Sequence, residues 1–333
     1  MDPLEILRLN VLSPMTLAFV LGIIAVVVKS DLKIPEQVYS IISIYLLFSI
    51  GLEGGFDLAE SSFADFIGPA LAAIAIGAAI PLWSYVMLTR FAALGPADAI
   101  AVGLHFGAVS SVTLSAAITF LDEVGEDFEG FLPTLYVIME LPAIIVALVM
   151  SAVFVQRRRS EAEQAEIEEK QQTIGDVARL ALTGKTFMLL GGGVMIGLLS
   201  GEAGKARVEP FFFDLFAGFL TLFLLEMGTL VGERLDELKE ISLGVWIYST
   251  AAPVVNAFAA VLLGTLAGLS PGGATVFASL AAGASFISAP AVAQSNMPQA
   301  NPGIYLTSAL VIAFPFNIVL GIPLYYEFAI LMA

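Results

Sequence analysis

Two short runs of small and hydroxyl-bearing residues carry the chemistry this sequence offers. Gly107-Ala108-Val109-Ser110-Ser111 and Gly283-Ala284-Ser285-Phe286-Ile287-Ser288 each interrupt an otherwise apolar segment near its middle, 176 residues apart. In hydrocarbon every orphaned backbone group costs several kcal/mol, so such breaks are expected only where they line a cavity. Paired breaks at matching places in two halves point to the binding site of a transporter. Half-helix N-termini offer unpaired N–H groups to an anion, and half-helix C-termini and freed carbonyls suit Na⁺. The first run supplies Gly107, Ala108, Ser110, Ser111 and Thr113; the second supplies Ser285, Phe286 and Ser288, followed by Pro290. Together they predict an anion site, with Ser110 and Ser285 also available to a cation. None of the fourteen Lys and Arg residues falls in the middle of an apolar segment, which fits an anion held by peptide dipoles. The competing reading is that Gly, Ala and Ser simply let helices pack closely.

Other polar residues lie at the same depth. Glu140 sits in mid-segment, two residues before Pro142, where a carboxylate costs roughly 2.5–3.5 kcal/mol on insertion scales. It reads as a cation ligand or proton carrier, against a protonated structural role. Asn317 follows Pro315 at the matching turn near the chain end and offers an amide oxygen to the same cation. His105, the one histidine, precedes the first break by two residues; it is a packing residue or a proton-sensitive group. Glu53 and Glu226 stand near glycines at segment ends. There is no phosphate-binding glycine loop, so no ATP-driven pump is indicated. One His and no Cys leave no zinc site, and no base is placed beside a serine nucleophile. The chain reads as a non-enzyme, with no cofactor beyond a coupling ion.

The elements that must position these residues are transmembrane helices. Of 333 residues 58% are hydrophobic and 13% charged, against roughly 25% charged in a soluble domain, and mean hydropathy is +0.92. The net charge of −16 comes from acids in short connections such as 122–129 and 161–169, read as solvated faces. Met1-Asp2-Pro3-Leu4-Glu5 lacks a basic region and a small-residue cleavage site near the first apolar run, which predicts a retained first helix. At roughly 20 residues per crossing, ten segments are expected near 11–28, 36–54, 67–89, 97–121, 131–155, 186–203, 209–231, 242–268, 272–295 and 303–332.

Residues 156–185 form the one long polar stretch and separate repeat 1 (1–155) from repeat 2 (186–333). Five segments per half force opposite orientations, so the expected fold is an all-α polytopic membrane protein with two inverted five-helix repeats and broken helices 4 and 9. Ile100, Gly107 and Ala108 recur as Val276, Gly283 and Ala284, and Leu141-Pro142 recurs as Phe314-Pro315. With the 156–185 linker in the cytoplasm, eleven Lys and Arg face inward and three outward. The positive-inside rule then puts both termini outside.

Phe106-Gly107-Ala108-Val109-Ser110, Ile50-Gly51-Leu52 with Gly54-Gly55, Met139-Glu140-Leu141-Pro142-Ala143, Ser285 with Ile287-Ser288 and Pro290, and Ala300-Asn301-Pro302 with Ile322-Pro323-Leu324 resemble the cyanobacterial sodium-dependent bicarbonate transporter family. The resemblance runs in order over nearly the whole chain. It implies Na⁺-coupled bicarbonate uptake at the plasma (inner) membrane, a ten-helix inverted-repeat fold, an elevator-type motion, a homotrimer and a PII-like cytoplasmic regulator. It also implies a substrate site between the broken fourth and ninth helices.

The chain departs from that pattern at four places. The family's second motif carries an acid where this chain has Phe286, and its first reads Ser-Gly-Ser-Thr where this chain has Ser110-Ser111-Val112-Thr113. The position of His105 is normally apolar, and the linker is shorter. Loss of the acid favours fewer cations per anion. One Na⁺ with one bicarbonate moves no net charge and forgoes the roughly 2.3 kcal/mol per charge that 100 mV supplies. Two alternatives stand beside this reading: a Na⁺- or H⁺-coupled symporter of a small organic monocarboxylate, for which Phe286 would line the site, and a non-transporting anion receptor or scaffold with 161–169 as its docking handle.

Overall fold

The computed structural model describes residues 3–60, 63–155, 179, 183–286 and 288–333. Most of the 156–185 linker and Ile287 therefore lie outside the described residues. Helices follow from the apolar runs and from N-capping. α1 (Pro3–Val11) and α2 (Pro14–Val27) meet at a 53° bend, where Ser13 caps α2 from a Ser-Pro pair. α3 (Glu36–Glu60) and α4 (Phe63–Phe91) follow. α5 (Pro96–Gly107) and α6 (Ser111–Val124) are separated by three residues, and α7 (Leu132–Met150) ends in a π-helical turn at Ser151–Val155.

In the second half, α8 (Lys185–Phe212) and α9 (Phe216–Glu233) lead through a short 3₁₀ turn to α10 (Leu243–Leu266). α11 (Pro271–Ala282), α12 (Ser288–Asn296) and α13 (Pro302–Met332) complete the chain. Gly95-Pro96 opens α5 and Ser270-Pro271 opens α11: proline in the first turn needs no amide partner and presets the helical φ.

Eight helices among the described residues are long and apolar enough to cross a membrane, or nine if the bent α1–α2 pair is one span. This is a multi-pass membrane protein. The expected count of ten is not reached by length alone, because the 272–295 segment is divided between α11 and α12. The expected end at 203 is also corrected. α8 runs on to Phe212, kinked at Gly201, whose φ of +58° combined with ψ of −165° suits only glycine. Polar residues there do not stop the helix, since Lys205 pairs with Asp57 of α3 at 3.4 Å.

Two pairs of helices cross at backbone contact. α3 meets α8 through Gly51 and Gly55 against Gly193 and Gly197, and α2 meets α9 through Gly22 against Gly228. A Cβ at any of these positions would run into the partner's backbone, which is what small residues at four-residue spacing achieve between membrane helices. The remaining helices pack on one another and, through α7 and α6, on these pairs. α4 lies against α5 and α7, α10 lies against α11 and α13, and α4 touches α10. These pairings map onto themselves when α2, α3, α4, α5 and α7 are exchanged for α8, α9, α10, α11 and α13.

α13 carries π-helical turns at Thr307–Ala313 and Asn317–Gly321. Pro323 has no N–H for the carbonyl of Val319. Asn10 of α1 supplies that donor from Nδ2 at 2.9 Å and reaches Ile318 O at 2.8 Å.

Candidate functional site: the crossing of two chain breaks

The residues between α5 and α6 leave the helical region. Ala108 has φ −79°, ψ 126° and Ser110 has φ −108°, ψ 115°. Ser110 then caps α6, its Oγ accepting the Thr113 N–H at 3.3 Å. In the second half, Gly283 is extended at φ −62°, ψ 147° and closes α11, its N–H reaching the carbonyls of Ser279 and Leu280. Ser285 repeats the part of Ser110: its Oγ accepts the Ala289 N–H of α12 at 3.4 Å.

The two breaks touch. The Ser285 N–H donates to the carbonyl of His105 at 2.7 Å and lies 3.0 Å from that of Ala108. Gly283 packs on Ser110: a Cβ there would stand 3.0 Å from Ser110 N and 3.1 Å from Ser110 Cβ. Gly107 is wedged between the Pro81 ring of α4 and Ala143 of α7. Acidic side chains anchor the ends of both broken segments away from the crossing. Glu129, in the α6–α7 connection, accepts from Ser270 N at 2.7 Å and Ser270 Oγ at 3.1 Å, at the start of α11. Asp98, in the first turn of α5, accepts the Asn301 N–H of the α12–α13 connection at 2.7 Å. The reading of the 122–129 acids as merely solvated is corrected at Glu129, which is structural: a carboxylate satisfies orphan donors at a helix N-terminus.

α7 and α13 form the walls of the crossing. On α7, the Tyr136 hydroxyl reaches the Val109 carbonyl at 3.4 Å. One turn on, Glu140 is buried on the face that runs from Tyr136 to Ala143. On α13, Asn317 donates from Nδ2 to the terminal carbonyl of α11, Ala282, at 2.8 Å. Its Oδ1 accepts from the Tyr325 hydroxyl at 2.6 Å. Phe286 packs edge-on against Phe314 with ring centroids 5.3 Å apart, and Phe314 against Phe19 at 5.5 Å.

His105 is fully buried on α5, its ring stacked 4.5 Å from that of Tyr305 of α13. Ser288 opens α12. Glu53 and Glu226 lie on α3 and α9, the first near Asp57 and Lys205, the second near Tyr39.

The arrangement has free capacity of a defined kind. The amide N–H groups of Ser111 and Val112, in the first turn of α6, have no acceptor among the described residues. Ser111 and Ser115, with Ser43 of α3, border a cavity of about 10 Å³, room for about one water. No group of three acidic, His or Cys side chains among the described residues can hold a metal ion. A cation ligand set here needs carbonyls and hydroxyls beside any single carboxylate such as Glu140. Several carbonyls at the crossing are already paired by protein donors, and each retains a second lone pair.

Sequence reasoning missed Tyr136, Tyr305 and Tyr325. The signal was present, since a phenol inside an apolar segment must find a partner when buried.

The fold and the crossing define a polytopic helical membrane protein whose interior holds two facing chain interruptions. A family model described as the Na⁺-dependent bicarbonate transporter superfamily matches residues 14–330, and the chain belongs to that family. No curated protein matches the sequence.

Proposed function

We propose that this protein is a secondary active transporter that takes up bicarbonate with Na⁺, and that its substrate is held where the two breaks meet. The observation that carries the reading is the contact of Ser285 N–H with the carbonyls of His105 and Ala108. It brings half-helix ends from two distant parts of the chain together inside protein, where irregular backbone is tolerated. Family membership supports the same reading.

In this proposal the anion is received by N-terminal amides such as those of Ser111 and Val112 and by hydroxyls at the crossing. Glu140 and carbonyl oxygens serve Na⁺. Asn317 acts by fixing the end of α11. The fold is then ten spans in two inverted repeats, broken at the fourth and ninth, and the exchange of helix pairings described above supports it. The elevator motion, homotrimer, inward-facing linker and PII-like regulator belong to the same proposal through the family alone. Phe286 is turned against Phe314, and that aromatic contact favours a seal beside the site over a lining for an organic acid.

Uptake of labelled bicarbonate into proteoliposomes, with and without an inward Na⁺ gradient, tests the proposal. Uptake that ignores the gradient refutes the coupling, and competition by pyruvate or acetate transfers the assignment to monocarboxylates. Glu140→Gln is expected to remove the Na⁺ dependence while bicarbonate binding persists.

A further inference from the structure

His105 Nδ1 lies 2.7 Å from the carbonyl of Ala101, one turn earlier on α5. A carbonyl only accepts, so Nδ1 carries the hydrogen, and in a neutral ring Nε2 is then a bare acceptor. An imidazolium would be a buried charge without a counter-ion: none of the ion pairs among the described residues involves His105. Nε2 is enclosed and has no hydrogen-bond partner among the described residues. Thr113 Oγ1, on the other flank of the first break, and Ser308 Oγ, one turn beyond Tyr305 on α13, are in the same condition. Thr134, Glu226 and Asn256 carry such an atom too; buried polar groups left unpaired are costly, and those of His105 and Thr113, on the two helices that flank the first break, are open to a partner from outside the chain.

The location ties these groups to the site. The His105 carbonyl is the point at which Ser285 touches α5. The ring packs on α13, the helix that also meets the second break through Phe314 and the end of α11 through Asn317. An acceptor that is not itself charged has no use for a bare anion. It requires a ligand that brings its own hydrogen. Bicarbonate is a planar oxyanion carrying an O–H; nitrate has the same shape and no hydrogen to give.

We infer that His105 is a specificity-determining residue, whose Nε2 accepts the hydroxyl hydrogen of a protonated oxyanion held at the crossing, with hydroxyls such as Thr113 donating to its other oxygens. This deepens the transporter reading and rests on it. The physical basis is that a site built to bond a substrate hydroxyl rejects the analogue lacking it far more strongly than shape alone allows.

The chain has one histidine, so full-length protein labelled with ¹⁵N-histidine gives one pair of ring signals. The expected result is a protonated Nδ1 and a bare Nε2, with the Nε2 signal moved by bicarbonate and not by nitrate. A protonated Nε2 overturns the inference, as does an Nε2 that stays still under saturating bicarbonate or responds equally to nitrate. Bicarbonate uptake by the same preparation separates the two failures: uptake with a silent Nε2 sinks this inference alone, whereas no uptake and no binding sinks the transporter reading with it. His105→Phe is expected to cut the preference for bicarbonate over nitrate by about tenfold or more. His105→Gln, which keeps an acceptor near the Nε2 position, should retain more of that preference than His105→Phe. Equal preference in the two variants and the parent counts against the inference.

Discussion

The outer helices and the crossing solve opposite problems with the same small residues. In α2, α3, α8 and α9, glycine removes side chain so that two complete helices can press backbone to backbone. α8 and α9 face outward most: 22% and 39% of their most apolar stretches are buried, against 67% for α3 and 94% across α5 and α6. Around 107–111 and 283–288, glycine and serine end helices instead, and the freed groups are met by residues from the other half. Hydrogen bonding inside each helix holds the outer pairs, so their interface rests mainly on shape, with Lys205 to Asp57 and the Tyr45 hydroxyl to the Phe211 carbonyl added towards the end of α8. The crossing needs named partners. Small residues in a membrane segment are therefore ambiguous until their neighbours are known.

Substitutions can break that contrast or sharpen it. The largest effect on folding is expected at the outer interface. Gly228→Leu drives a side chain into the backbone of α2 at Phe19. It should cost about 3 kcal/mol or more, read as loss of the folded peak in detergent chromatography after heating. Asn317→Leu leaves the Ala282 carbonyl and the Tyr325 hydroxyl unpaired inside the crossing. A loss of about 2 kcal/mol in thermal denaturation is expected; an unchanged midpoint would mean that water replaces the amide.

Glu129→Gln keeps the shape but weakens two hydrogen bonds at the start of α11. About 1 kcal/mol is expected in the same assay. Gly283→Ala should move stability least, because Ser110 needs to yield only a few tenths of an ångström. Its effect belongs to function: uptake should fall about tenfold as the two breaks are pushed apart. If Gly283→Ala instead unfolds the protein while Gly228→Leu is harmless, the division of labour between the two regions is wrong.

Particular residues show how far the sequence could be read. The breaks at 107–111 and 283–288 were legible because Gly and Ser interrupt apolar runs at matching places, and the Gly-Pro and Ser-Pro helix starts were equally local. Glu129 was not legible, since nothing near it in the chain hints at Ser270, 141 residues away. Asn317 had the right depth, but its bonds to Ala282 and Tyr325 depend on how α13 lies against α11. The extent of α8 was misjudged because a kinked glycine and an ion pair to α3 carry a polar stretch onward.

The sequence by itself determined that this chain lives in a membrane and where its helices must fail, because lipid imposes the same demand on every apolar segment whatever its neighbours. Only the tertiary structure decided that the two failures face each other, that Ser110 and Ser285 cap the helices following them, and that His105 presents a bare nitrogen. Those outcomes rest on directional bonds between groups far apart in the chain, and direction is a property that composition and spacing do not carry.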